Sequence, residues 1–272
     1  MIYKFLQEKI KEIHTLLIVP LKILLYNVKL FLYYLAKLFE MVVRKFSIWL
    51  SNLYWAVKYE MKSINTQGII HFELLNGSCE WYWGTDYIHG DLYEAEELFK
   101  MGHKVKSNKL LFIHYPDGNV VEPVKPQDGQ YFGCPIYCDN HIIILLVDFL
   151  NKQIKLVIYD DKSNETTLLT VIPLGDVKDC YNLLLKQYPL MLTRQGNEGK
   201  FEIIYPEKME FEITPNESFY FRENEKLFFS AWYEDPDYRE EVIVREIFTG
   251  RILDKISGAI QSMPDGQKWI LG

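Results

Sequence analysis

The chain has 272 residues, of which 49% are hydrophobic and 15% aromatic; this excludes global disorder and leaves enough length for a sizeable core. Its net charge of −7 is unevenly divided: ten basic and four acidic residues up to Lys62 give +6, while 20 basic and 33 acidic residues from Ser63 onward give −13. A body of that sign repels phosphates, so nucleic acid is excluded as a partner.

The first element is a helix. At 100° per residue, Lys4, Glu8, Lys11, Thr15, Lys22, Lys29, Lys37, Glu40, Arg44, Ser47, Ser51 and Lys58 fall on one narrow stripe, and nearly everything around them is aliphatic or aromatic. The pattern predicts a long hydrophobic amphipathic α-helix within residues 1–62, bent near Pro20 and ending near Tyr59, with "NTQG" at 65–68 as its exit. Its apolar face is wider than that of an ordinary surface helix. The lysines interrupt the charge-free run that a simple transmembrane helix wants. Three readings stay open: the helix lies in a membrane interface with Lys22, Lys29, Lys37 and Arg44 toward anionic head groups, it assembles with copies of itself or a partner, or it packs along the acidic body. Met61 directly precedes "KSINTQGIIHF", where the body begins, and is an alternative start.

From residue 66 to 272 the pattern changes to short β-rich runs punctuated by turn dipeptides. Asp139-Asn140, Tyr181-Asn182, Glu223-Asn224 and Asp265-Gly266 lie 42 residues apart, three times running, each before an apolar run. In phase with them, "IKLVIYDDKSNETTLLTVI", "KFEIIYPEKMEFEI" and "EVIVREIFTGRILDKI" each read as strand, turn, strand. A unit of about 42 residues with about four strands has the size of a β-propeller blade. The 207 residues of the body hold close to five. The final "MPDGQKWIL" reads as a blade opening, and "GIIHFELL" at the start of the body would supply its missing strands and close the ring. The predicted fold is an all-β, five-bladed propeller behind an N-terminal helix; a two-sheet β-sandwich is the alternative.

The "PDG" turns at Pro116 and Pro264 and the "FTGRIL" hairpin resemble the blade turns of WD40-like and TolB-like propellers. The resemblance covers about the last 140 residues and implies the fold alone. Some five-bladed propellers are glycosidases with carboxylates facing the channel, which leaves that chemistry open by resemblance.

The densest polar-aromatic stretch is "CEWYWGTDYIHGD", residues 79–91. Trp81 and Trp83 face one way in a strand, and Asp86, His89 and Asp91 follow in an expected loop. These aromatics and acids suit a sugar ring; the tryptophans suit a blade core equally well. For glycoside hydrolysis, Asp86 and Glu80 would be the pair to test, with Asp148 third. In "SAWYEDPDYREE" the acids Glu234, Asp235, Asp237, Glu240 and Glu241 crowd a loop without the glycine and spacing of an EF-hand, so a solvated loop is expected.

"CPIYC" puts Cys134 and Cys138 about 13 Å apart along a strand, too far for one zinc, and no second ligand pair follows. Cys79 and Cys180 complete the cysteines, which read as reduced thiols. With no secretory signal evident and no nucleotide-binding or hydrolase motif, no metal or cofactor is expected, and the location expected is cytoplasmic, peripheral to a membrane. Three functions remain: a non-catalytic interaction module with a protein or peptide partner, a glycan-binding or glycan-cleaving propeller, and a membrane-acting helix restrained by the acidic body.

Overall fold

The computed structural model describes residues 2–58, 61–86, 91–263 and 267–272. They form two compact units, Met1–Ser63 and Ile64–Gly272.

The first unit is helical: α1 (Ile2–Ile13), a π turn (His14–Ile18) and α2 (Val19–Lys58). Pro20 has no N–H for the carbonyl of Leu16, and its ring crowds that carbonyl. The wider π turn just upstream absorbs the mismatch, with Thr15 Oγ1 donating back to Lys11 O at 2.8 Å. Near Pro20, where a bend is expected from the sequence, the helix thus carries a π turn. Leu21, Leu24, Leu25, Phe31, Leu35, Phe39 and Trp49 are all exposed along α2.

The second unit is a succession of antiparallel meanders. The first sheet contains β1 (Glu73–Leu74), β2 (Trp81–Thr85), β3 (Leu110–His114) and β4 (Val120–Val121), in that order. Between β2 and β3 stands α3 (Leu92–Lys100). In the second sheet, β5 (Gln130–Phe132) and β6 (Ile136–Cys138) both pair with β7 (His141–Asp148), followed by β8 (Gln153–Asp160) and β9 (Glu165–Pro173). β5 and β6 are two halves of one strand, interrupted at Pro135, which cannot donate to the ladder. The third sheet runs β10 (Leu183–Lys186), β11 (Met191–Gln195), β12 (Lys200–Tyr205), β13 (Met209–Glu212). The fourth runs β14 (Glu217–Glu223), β15 (Lys226–Tyr233), β16 (Arg239–Glu246), β17 (Ile252–Ser257). Among the described residues the last sheet has two strands, β18 (Ala259–Ser262) and β19 (Lys268–Leu271).

Alternation along β7 shows how the sheets stack. Ile142, Ile144 and Leu146 pack with Leu75, Trp81 and Phe112 of the first sheet. Their neighbours Ile143, Leu145 and Val147 pack on the other face with Leu183, Leu185 and Leu192 of the third. A third core joins Phe201 and Ile203 of the third sheet to Phe219, Phe229 and Ile243 of the fourth, with the Phe201 and Phe219 rings 4.7 Å apart. A sandwich has one core between two sheets; three cores between successive four-stranded sheets make this body propeller-like.

The three strand–turn–strand segments occupy one position: β8–β9, β12–β13 and β16–β17 are each the third and fourth strands of a sheet. The dipeptide series is less uniform. Asp139-Asn140 and Glu223-Asn224 link the first and second strands of their sheets, whereas Tyr181-Asn182 precedes β10; Asp265-Gly266 lies outside the described residues. The predicted ring closure is also corrected. β1 pairs with β2, Glu73 opposite Trp83, rather than with the last sheet. Gly84 makes this possible, because a Cβ there would sit 2.4 Å from His71 O. The local hairpin also closes a far shorter loop than pairing with the chain's end would.

Side-chain amides satisfy the free edges of two first strands. Asn108 accepts from Phe132 N at 2.7 Å and donates to Phe132 O at 3.2 Å. Gln195 donates to Glu217 O at 2.6 Å and accepts from Phe219 N at 3.1 Å. Each clamp ties a sheet to the next one and pairs backbone groups that the ladder leaves open.

Asp148 ends β7 and is 1% exposed. Burial would raise its pKa, but hydrogen bonds from Asn151, Gln130 and Lys155 outweigh burial and hold the carboxyl at about 2. The folded pKa lies below the unfolded one, so this contribution is present above about pH 4 and is lost as pH falls through 2. The depression corresponds to about 2 kcal/mol. Urea unfolding between pH 4.5 and 2 should show Asp148→Asn losing less stability on acidification than the parent; parallel acid profiles would remove Asp148 as a contributor.

Candidate functional site

The aromatic stretch divides once folded. Trp81 is buried, packs into the core between the first two sheets, and lies 4.8 Å from the His114 ring. Trp83 stands on the same face of β2, half-buried, and reaches the wall of a hollow of about 270 Å³. Asp86 accepts Lys109 N–H at 2.6 Å and serves as a loop clasp. His89 lies outside the described residues. Asp91 belongs to an element that the strand reading missed: its Oδ1 accepts from Tyr93 N at 2.9 Å and Glu94 N at 3.1 Å, which caps α3. The signal was available in an Asp followed three residues later by Glu, with Leu92, Ala95 and Phe99 at helical spacing.

The hollow lies among the first three sheets, with Trp83, Thr85, Asp91, Asn108, Cys134 and Asn182 on its walls. Cys134 is exposed into it, whereas Cys138 is buried in the core between the second and third sheets, so the two thiols part. Although Cys134 keeps solvent exposure, the surrounding wall partly desolvates its thiol and pushes it up, and the Glu73 and Asp91 carboxylates push the same way. Cys180, also on the wall, is raised by burial and by the Glu96 carboxylate that accepts its backbone N–H. Thiols raised in this way carry little thiolate at neutral pH.

Two-carboxylate hydrolysis needs a facing acid pair. Among the described lining residues Asp91 is the single carboxylate, and its Oδ1 is engaged in the cap. Glu80 lies 3.9 Å from His114, and Asp148 is bound in its own network. In the acidic loop after Trp232, Arg239 stacks 4.3 Å over the Tyr233 ring, pairs with Glu241 at 3.5 Å and donates to Asp235 O.

A second hollow, about 240 Å³, lies between the third and fourth sheets. Asn182, Leu184 and Lys186 alternate along β10 and its approach, so they share a face and line this hollow together. Asn182 and Leu184 line both hollows, which are therefore neighbours. Leu183 and Leu185, on the opposite face, anchor the strand in the core.

No protein-family model matches the chain, and no curated protein does. Solved structures that align with it include the β-propeller domain of the trilobed protease from Pyrococcus furiosus, described as having an open velcro topology, with a TM-score of 0.38 and 9% identity over 72% of this chain and 60% of that one. A chain of the mitotic checkpoint complex aligns with a TM-score of 0.38 and 10% identity over 76% of this chain and 64% of that one. This chain thus spans less than two thirds of either.

Proposed function

We propose that the protein is a non-catalytic interaction scaffold whose propeller-like body is held at an anionic membrane surface by its N-terminal helix, with the paired hollows as the partner-facing region. The observation that carries the tether is the cationic stripe on an uncovered apolar helix. Lys22, Lys29, Lys37 and Arg44 fall within about 80° of arc at 100° per residue. They are spread over about 33 Å of axis at 1.5 Å per residue.

The helix over Leu6–Ser51 is long and apolar enough to cross a membrane by length and composition, its most apolar 18-residue stretch having a mean hydropathy of 1.8 despite the interrupting lysines. Charge position favours the in-plane arrangement. A span of about 20 residues centred on this helix would place Lys22, Lys29 and Lys37 within a hydrocarbon layer about 30 Å thick. Lying flat, all four cations reach head groups while the apolar flank enters the acyl boundary.

Flotation of the full chain with vesicles tests this. It should float strongly with phosphatidylserine-containing vesicles and weakly with pure phosphatidylcholine. Raising the salt to about 1 M, where the screening length is near 3 Å, should release it. Equal flotation on both lipids, or on neither, would overturn the proposal.

A further inference from the structure

The two buried arginines of the body and the half-buried Lys155 each meet a carboxylate. Arg194 meets Asp179 at 2.7 Å, Arg245 meets Glu217 at 2.7 Å, and Lys155 meets Asp148 at 3.2 Å. Lys186 does not. Among the described residues its ammonium has one hydrogen bond, to Phe219 O at 3.5 Å, and lies 5.5 Å from the centre of the Phe219 ring. It stands half-buried at the wall of the second hollow, in a body whose charge from Ser63 onward is −13. A cation drawn out of water in so acidic a domain, with no acid among the described residues against it, is a charge awaiting a partner. Burial pushes the Lys186 pKa down, as expected of an ammonium without a counter-ion.

The walls indicate what the partner is. Asn182 and Ser218 offer neutral polar groups and Leu184 and Phe219 offer apolar surface, with the buried Thr193 and Phe201 behind them. Thr193 Oγ1 spends its one hydrogen on Leu184 O at 3.3 Å and the Gln195 amide is spent on β14, so the neutral donors on the wall are the Asn182 amide and the Ser218 hydroxyl. One positive charge with neutral donors balances a single negative charge. A phosphate, with a charge of about −1.5 to −2, would leave an excess in a partly dry site.

We infer that the hollow between the third and fourth sheets is a binding subsite for one carboxylate group, with the Lys186 ammonium as its charge partner and the aromatic wall receiving the attached methylenes. The carboxylate has two sources, a free small acid or a glutamate-type side chain of a peptide, and this assignment does not depend on the membrane tether.

The test follows the Lys186 side-chain resonance in the full chain with isotope-labelled lysine, assigned by its disappearance in Lys186→Arg. The titrants are propionate, a capped Gly-Glu-Gly peptide, inorganic phosphate and chloride at matched ionic strength. A saturable shift with propionate and peptide alike identifies a free-acid site, and one with peptide alone identifies a side-chain site; both support the inference. Lys186→Gln should weaken the stronger of the two by about tenfold or more, read by calorimetry. The inference fails if chloride reproduces the shift, if phosphate binds as tightly as the carboxylates, or if no titrant gives a saturable response. Because the wild-type titration is read directly at Lys186, a poorly folded Gln variant leaves the test intact.

Discussion

Replacing Arg194 with methionine should destabilise the body by about 3–5 kcal/mol, the cost of breaking a buried ionic cluster on one side. Arg194 is 0% exposed, in the second strand of the third sheet. Its guanidinium spends every nitrogen: Nε and Nη2 go to Asp179 Oδ1 at 2.8 and 2.7 Å, and Nη1 goes to Glu198 at 2.8 Å and to Glu202 at 3.1 Å. Methionine fills similar volume, so the loss is electrostatic and leaves three carboxylates facing one another. Glu198, held at about 2 chiefly by the Arg194 hydrogen bond, gives the diagnostic. Its contribution is complete above the unfolded pKa near 4.5 and vanishes as pH falls through 2, so the gap between parent and variant should narrow on acidification. Urea unfolding followed by tryptophan fluorescence at pH 7 and pH 4 measures both quantities. A melting temperature lower by about 10 °C at pH 7 is the equivalent in heat, taking about 3 °C per kcal/mol at this size. A deficit under about 1 kcal/mol, or one that does not change with pH, would show that the cluster is not a net stabiliser.

The second large effect is on lipid binding. Changing Lys22, Lys29, Lys37 and Arg44 together to glutamine in the full chain should weaken partition onto phosphatidylserine vesicles by about a thousandfold. Each cation near an anionic surface contributes about 1 kcal/mol, so four contribute about 4 kcal/mol. Lys37 and Glu40 already form an exposed pair at 3.2 Å, which is worth little and does not remove Lys37 from this count. Glutamine keeps the helix propensity and the length of the side chain, so helix content by circular dichroism should not change. If partition to anionic vesicles falls less than about tenfold, apolar burial rather than the stripe drives the association.

Much of the fold was legible because it rests on local patterns. Period-2 apolar runs and in-phase turns placed the third-to-fourth-strand hairpins of three sheets, and the 100° stripe placed the helix. What stayed hidden depends on partners distant in sequence. The Tyr181-Asn182 repeat fell in phase by spacing alone, and spacing does not say which strands a turn joins. Strand pairing at Glu73 depended on the bare face of Gly84, a steric fact of the folded backbone. In the candidate site, Trp83 was foreseeable from alternation, but the wall opposite it comes from residues 134 and 182. A charge at the end of an apolar run, as in "LLLK" at Lys186 and "MLTR" at Arg194, was a usable signal. Which of the two was paired was not, since the acids that meet Arg194 come from another strand and two loops.

The in-plane helix is the central claim, and a depth scan tests it most directly. Spin labels placed one at a time from Leu30 to Leu38, in the full chain on phosphatidylserine vesicles, report how far each position lies below the phosphates. A helix lying flat predicts depths that rise and fall every 3.6 residues, shallowest on the side of Lys29 and Lys37 and no deeper than about 10 Å. Depth that increases steadily along the sequence through the bilayer midplane would make α2 a membrane span, and labels that never contact lipid would remove the tether.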